Sequence, residues 1–349
     1  MDEGFQVSAA SFTRKYHKGR LPSCEVAILG EIEHGNFLMR AIKMIKALPK
    51  LRSQVKEADI IYAFGVDMGL LCIISAIGLL KHVAVEIGDI RSAQVQKNLK
   101  GRLVRILDKY IVSNCKLMIA TSIKFVEEYY QKNLKVKTKT IILENKLERQ
   151  QSDRQQKTKT GFLEHNIVII GYFGLLRCSK SIRVLTRLAS NYPNNIKLFV
   201  AGYSLVDDAK FAKLISLKNV EYFGEYKSPG NLFEIYSKVD LVWSVYPFPN
   251  VGELNWKWAR TNRFYESCYF RKPMIALEGS ADGDIVREHK IGFTVEDVSE
   301  DEIVRCVWEN SHENFELYQQ NIFNLPEEVY LYTQEGKQLK EALIHMANN

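Results

Sequence analysis

Short apolar runs and longer amphipathic stretches alternate along nearly the whole chain, and that alternation restricts the fold more than any other feature. From Cys24 onward, Glu25–Leu29, Ile60–Phe64, His82–Val85, Leu117–Ala120 and Thr140–Leu143 read as strands, with helical patterns around 37–48, 67–80, 101–114 and 122–131. A second array has strands at Ile167–Phe173, Ile196–Ala201, Val220–Phe223, Asp240–Ser244, Met274–Leu277 and Phe293–Val295. Its helical patterns fall near 179–190, 205–217, 229–238, 261–270 and 300–310, and the tail Glu327–Met346 reads as a further helix. Strict alternation of this kind means βαβ units and parallel sheets. The polar stretch from Glu148 to Thr160 has nothing to bury and reads as a linker. The expected fold is α/β, with two Rossmann-like doubly wound parallel-sheet domains facing across a cleft that opens at the carboxyl ends of their strands. The expected segments are a first domain at 1–150, a linker at 151–160, a second domain at 161–321, and a C-terminal helical segment at 322–349 packing back on the first domain.

Composition excludes several alternatives. Of 349 residues, 46% are hydrophobic and only 8 are proline, which suits packed cores and not a disordered or fibrous chain. The most apolar stretch, Gly69–Leu80, meets Lys81 and His82 before reaching the ~20 residues a membrane span needs, so it reads as a buried helix. Met1–Val7 carries two acids and no secretory pattern, which points to a cytoplasmic protein. The six cysteines are dozens of residues apart, without a C-x-x-C pair, and read as free thiols and not as a zinc or disulfide framework. Charge is unevenly divided: residues 1–160 hold 28 Lys and Arg against 16 Asp and Glu, and residues 161–349 hold 20 against 25. A basic first half fits a phosphate-bearing acceptor or an anionic membrane surface. Nucleic acid is not an expected partner, because the basic residues are scattered along helices without a helix-turn-helix, zinc or RNP pattern. A nicotinamide site is disfavoured by the lack of G-x-G-x-x-G.

Three segments can carry chemistry. In Gly171–Ser181 a strand runs into a turn at Gly174, an arginine at Arg177, and Ser179 placed to cap the following helix. Backbone N–H groups there, with Arg177 and Lys180, suit a phosphate or diphosphate, although a plain turn with a solvated arginine has the same pattern. In Ala259–Ala276, Thr261 can cap a helix whose Asn262 and Glu266 share a face with Arg263. A carboxylate there can accept both hydroxyls of a ribose; a surface ion pair is the plain alternative. Between Leu277 and Ile285 a glycine-bearing loop, with Gly283, follows a strand end and suits close backbone approach to a ligand, or is an ordinary surface loop. Asp282-Gly283-Asp284 matches an Asp-x-Asp metal motif in form only, since no other ligands accompany it, and no metal is expected.

The order of these parts resembles the donor-binding domain of the GT-B fold glycosyltransferases, most like the retaining family 4 type. The resemblance rests on Gly171–Arg177, Leu198–Gly202, Val220–Gly224, Leu232–Leu241, Asn262–Glu266 with Lys272 and Pro273, and Ile291–Val295. It is weaker in the first half, through Val85–Asp89, Ile119–Ser122 and Glu144–Lys146. It implies transfer of a sugar from a nucleotide-sugar donor to a hydroxyl acceptor, a glycan or a lipid-linked glycan, in surface polysaccharide or glycolipid synthesis. By the same resemblance Glu266 holds the nucleotide ribose, Arg177 meets the diphosphate, and Gly283 lies near the donor phosphates; no cofactor is implied, the nucleotide-sugar being a substrate. Asp89 or Glu86, at a strand end of the first domain, can contact the acceptor or serve as a cap.

The chain departs from the family twice. Where family 4 carries a second glutamate eight residues before the ribose-binding one, this chain has Trp258, with Glu253 and Asn255 as substitutes at hand. The chain also begins at a segment that the family precedes with a strand, a Gly-containing loop and a helix, so a central strand of the first sheet is expected to be missing. Either the start codon is assigned too late, the preferred reading since a central strand is costly to omit, or the element has been lost. Both departures leave an inactive GT-B scaffold or partner subunit as the alternative function. Lys100–Lys109 has a basic face beside an apolar one, as interfacial helices do, or as a helix packed into a core by its apolar side does. The first alternative places the protein peripherally on the inner face of a membrane.

Overall fold

The computed structural model describes residues 4–13, 23–32, 37–149, 167–247, 254–311 and 314–348. The chain divides into two compact units, Met1–Leu143 together with Gln334–Asn349, and Glu144–Thr333. The expected linker at 151–160 lies outside the described residues.

In the first unit β1 (Ser8–Thr13) pairs in parallel with β2 (Glu25–Glu31) as a two-stranded sheet. Strand β1 carries little apolar side-chain volume, which is why the hydrophobic pattern missed it. After α1 (Phe37–Glu57), a four-stranded parallel sheet runs in the order β3 (Ile61–Phe64), β4 (Val83–Ile87), β5 (Leu117–Ala120), β6 (Thr140–Ile142). Among the described residues no hydrogen-bonded ladder joins the two sheets, so the first unit departs from one continuous doubly wound sheet. The sheet is crossed by α2 (Gly65–Ala76), the short α3 (Ser92–Val95), α4 (Leu99–Ser113) and α5 (Phe125–Asn133). Helix α5 is wound as a π-helix, and its wide turn lets the adjacent Tyr129 and Tyr130 both donate to the buried Asp108 of α4, at 2.8 and 3.2 Å.

The second unit has six parallel strands in the order β12-β11-β10-β7-β8-β9. These are β7 (Val168–Leu176), β8 (Ile196–Ser204), β9 (Val220–Gly224), β10 (Leu241–Ser244), β11 (Met274–Leu277) and β12 (Gly292–Val295). Strands β7, β10 and β11 are apolar almost throughout because helices cover both faces. One face is covered by α6 (Ser179–Asn191), α7 (Asp208–Ile215) and α12 (Glu300–Ser311), through Ile182, Leu185, Leu188, Leu214, Val304 and Val307. The other is covered by α8 (Leu232–Ser237), α10 (Asn262–Tyr269) and α11 (Ala281–His289); the short α9 (Leu254–Trp258) precedes α10.

Both unit boundaries differ from those expected at 150 and 322. Leu147 already belongs to the second unit, where it bridges Leu331 in parallel and packs against its apolar residues. Ile322, at the end of α13 (Phe315–Phe323), and Leu325 pack with Phe264 and Met274, so the chain up to Thr333 stays with the second unit. The tail is not one helix from Glu327: a 3-10 turn at Glu327–Val329 is followed by α14 (Glu335–Ala347), whose Leu343 and Met346 pack on Ala84, Leu117 and Ile119 of the first unit. Among the described residues no helix is long and apolar enough to cross a membrane, and all six cysteines are free thiols.

Candidate functional site

Strand order in the second unit reverses at β7, which pairs with β8 on one side and β10 on the other. The carboxyl ends of the strands at such a switch point are where open α/β sheets bind ligands. Gly174 stands there at φ +91°, paired in register with Gly202 of β8. A Cβ on Gly202 would lie 1.9 Å from the Gly174 carbonyl oxygen, so the strand ends approach this closely only because side chains are missing. Over Gly174 lies the guanidinium of Arg263, with Nη2 3.4 Å from the position a Gly174 Cβ would take and the Tyr226 hydroxyl 3.8 Å from it.

Arg263 comes from the first turn of α10. Its Nε donates to the Phe173 carbonyl at 2.6 Å, and its guanidinium lies 4.8 Å from the ring centre of Tyr246, at the end of β10. Tyr246 in turn lies 5.4 Å from Trp256 of α9, and Arg177, just past β7, lies 5.6 Å over that indole. Two arginines therefore flank two adjacent aromatic rings in one continuous series. Glu266, one turn along α10 from Arg263, is buried; among the described residues its carboxylate accepts one hydrogen bond, from Tyr236 of α8 at 2.7 Å. Burial raises its pKa above the ordinary carboxylate value, with the Tyr236 hydrogen bond and the charge of Arg263 acting the other way.

Helix α10 is aimed by Asp282. This buried carboxylate accepts from Ser244 Oγ at 2.9 Å, Thr261 N at 3.1 Å and Thr261 Oγ1 at 2.7 Å, joining the end of β10 to the starts of α10 and α11. Thr261 thus occupies the cap position of α10 without capping it, since its hydroxyl is turned to Asp282.

Of the residues singled out in the sequence, the fold brings Gly174, Arg177, Arg263 and Glu266 to one strand-end region. Asn262 is exposed at the first position of α10. Lys180 is engaged elsewhere: its ammonium pairs with Asp297 and donates to the Val298 carbonyl beyond β12. Gly283 is not in a loop. It sits in the first turn of α11, where a Cβ would fall 2.0 Å from the Leu277 carbonyl oxygen, and its amide donates to the capping Ser280 Oγ at 3.0 Å. Its smallness serves helix-to-strand packing and its N–H is already used. Cys178, not Ser179, caps α6, its Sγ accepting from Ser181 N at 3.3 Å. The tyrosines 226, 236 and 246 were missed because single tyrosines in apolar surroundings have no distinguishing spacing. Trp258 is buried in α9; Glu253 lies outside the described residues.

A second concave feature lies within the first unit, at the carboxyl ends of β3 and β4. Its volume is ≈ 250 Å³ and its lining includes Phe64, Glu86, Asp89, Arg91, Gln94 and Tyr130. Tyr62 donates to Glu86 at 2.5 Å, and burial raises the pKa of Glu86. The pocket is braced by Asp67, which pairs with Arg40 at 2.5 Å and Arg91 at 2.9 Å.

No family model matches the chain. Over 310 residues it is 26% identical to the succinoglycan biosynthesis protein ExoL of Rhizobium meliloti (strain 1021), covering 84% of this chain and 75% of that protein. Among solved structures, sucrose-phosphate synthase from Thermosynechococcus elongatus superposes with a TM-score of 0.71 at 14% identity, over 99% of this chain and 90% of the other. Anabaena Alr3699/HepE in complex with UDP superposes with a TM-score of 0.67 at 15% identity, over 92% and 86%. This chain has the GT-B glycosyltransferase fold. Within GT-B, the strand-end region of the second unit corresponds to the half of the fold in which the sequence resemblance was strongest, 171–295.

Proposed function

We propose that this chain is a glycosyltransferase that moves a sugar from a nucleotide-sugar to a hydroxyl acceptor during synthesis of a surface glycan. The observation that carries the reading is the gathering of Arg177, Arg263 and Glu266 at the switch point of a GT-B second unit. In this reading the Glu266 carboxylate accepts from the two ribose hydroxyls, and its burial makes those hydrogen bonds stronger than they would be in water. Arg177 and Arg263 meet the diphosphate, and the charge that develops on it as the glycosidic bond breaks is stabilised by groups already fixed in place. Support for a UDP donor comes from HepE, whose structure holds UDP; support for a glycan product comes from ExoL, named for succinoglycan biosynthesis. The acceptor is assigned to the first unit, at the Glu86 and Asp89 pocket, with transfer proceeding with retention and without a metal. The acceptor is further read as lipid-linked and presented at an anionic membrane on its cytoplasmic side.

A panel of nucleotide-sugars tests this directly. Release of nucleoside diphosphate from at least one donor, faster with a lipid-linked glycan acceptor added, is the expected result. Buried Trp258, at the position of the family's second glutamate, favours a second reading as a GT-B scaffold without transferase activity. Nucleotide binding with no turnover on any donor would favour that scaffold.

A further inference from the structure

A helix on the surface of a protein in water turns its polar side outward. Helix α4 departs from this rule, leaving an apolar stripe in solvent although it also packs inward, and so it lacks the purely polar outer face that its sequence also allowed. Its buried residues are Gly101, Asp108, Ile111 and Val112. Facing solvent are Leu99, Leu103, Ile106, Leu107 and Tyr110, which are 73%, 61%, 58%, 46% and 54% exposed. At 3.6 residues per turn these five fall within an arc of about 100°. Arg102 and Lys109 border the stripe on one side and Lys100 on the other, all three exposed.

The helix cannot roll to hide its leucines, because its inner side is fastened. Asp108 accepts from Gln94 Nε2 at 2.5 Å and from the hydroxyls of Tyr129 and Tyr130, and Arg105 donates to the carbonyls of Gln94 and Gln96 at 3.2 and 2.5 Å. Asn98 caps the first turn by accepting from Gly101 N at 2.8 Å. At the other end, a pocket of ≈ 170 Å³ lined by Ile77, Lys81, His82, Asn114 and Lys116 continues the mixture of apolar and basic groups.

We propose that the outer face of α4 docks on an anionic lipid surface, its leucines entering the headgroup boundary and its basic borders meeting lipid phosphates. Charge decides the occupant. A second copy packed on this stripe would set Arg102 and Lys109 against basic residues of its own kind, whereas an anionic membrane is complementary to both the stripe and its borders. The docking deepens the membrane part of the proposed function and rests on it only for the identity of the acceptor.

Flotation of the full chain with vesicles tests it, using phosphatidylcholine alone and phosphatidylcholine with about one-third phosphatidylglycerol. The wild type is expected to float only with the anionic vesicles. Leu103→Glu with Ile106→Glu should lower the bound fraction at least about tenfold, and Arg102→Glu with Lys109→Glu should remove most of the salt sensitivity, with thermal melts and UDP affinity unchanged for both. The proposal is overturned if the wild type ignores anionic vesicles, if both variants float as the wild type does, or if the wild type dimerises through this face and the leucine variant dissolves the dimer. Vesicle binding without UDP binding would remove the donor assignment and leave the docking intact; UDP binding without vesicle binding would do the opposite.

Discussion

Arg263 Nε donates to the carbonyl oxygen of Phe173 at 2.6 Å, so the first turn of α10 is tied to the last residues of β7. One arginine thereby sets the distance between the strand end that carries Gly174 and Arg177 and the helix that carries Glu266. Replacing it with methionine keeps most of the volume and removes a hydrogen bond from a charged donor, worth about 1.5–3 kcal/mol. The second unit should lose about 3–12 °C of thermal stability by calorimetry. Arg263→Lys should recover only part, since one ammonium cannot both reach Phe173 and lie flat over Tyr246.

Glu266 is placed at a cost to stability. Its pKa is raised in the folded state, so the stability it contributes is present below the unfolded carboxylate pKa and is lost as pH rises through the folded value. Glu266→Gln keeps the Tyr236 hydrogen bond and should melt higher than the wild type at neutral pH, the gap closing as pH is lowered toward 4. A variant that melts lower at neutral pH would mean that Arg263 more than offsets the burial.

Lys272, in the turn before β11, is buried and has no hydrogen-bond partner for its ammonium among the described residues. Burial lowers its pKa to about 8, with Asp240 opposing. Between that value and the ordinary 10.5 the unfolded chain binds more protons than the folded one, so this lysine's contribution to stability rises with pH, by about 3 kcal/mol in total. Lys272→Met should therefore exceed the wild type in urea midpoint at pH 7, with the difference shrinking from pH 8 upward.

Asp282→Ala strands three donors, the Thr261 amide and the hydroxyls of Thr261 and Ser244. A loss of about 3–5 kcal/mol is expected in urea unfolding. Asp282→Asn should lose less, because the amide still offers one oxygen to the same donors.

The alternation of strands and helices was legible because it follows from burial on both faces of a parallel sheet, and the six strands of the second unit fall where the apolar runs do. Less legible were features that depend on a partner distant in sequence. Cys178 displaces Ser179 as the α6 cap because the chain enters the helix one residue earlier. Gly283 reads as a ligand loop until α11 is seen to start at Ala281 and press against Leu277. Lys180 reads as a phosphate ligand until Asp297 arrives from beyond β12. For α4, periodicity alone marks two faces without saying which is outside; the buried Asp108 decides it, through tyrosines in α5.

Titration of UDP into the full chain by calorimetry tests the central claim, that the second unit holds a nucleotide at Glu266. The wild type should bind one UDP per chain, and Glu266→Ala should weaken that binding at least about tenfold, the loss of one charge-assisted hydrogen bond. A wild type that takes up no UDP or other nucleoside diphosphate, or a Glu266→Ala variant that binds with undiminished affinity, would contradict it.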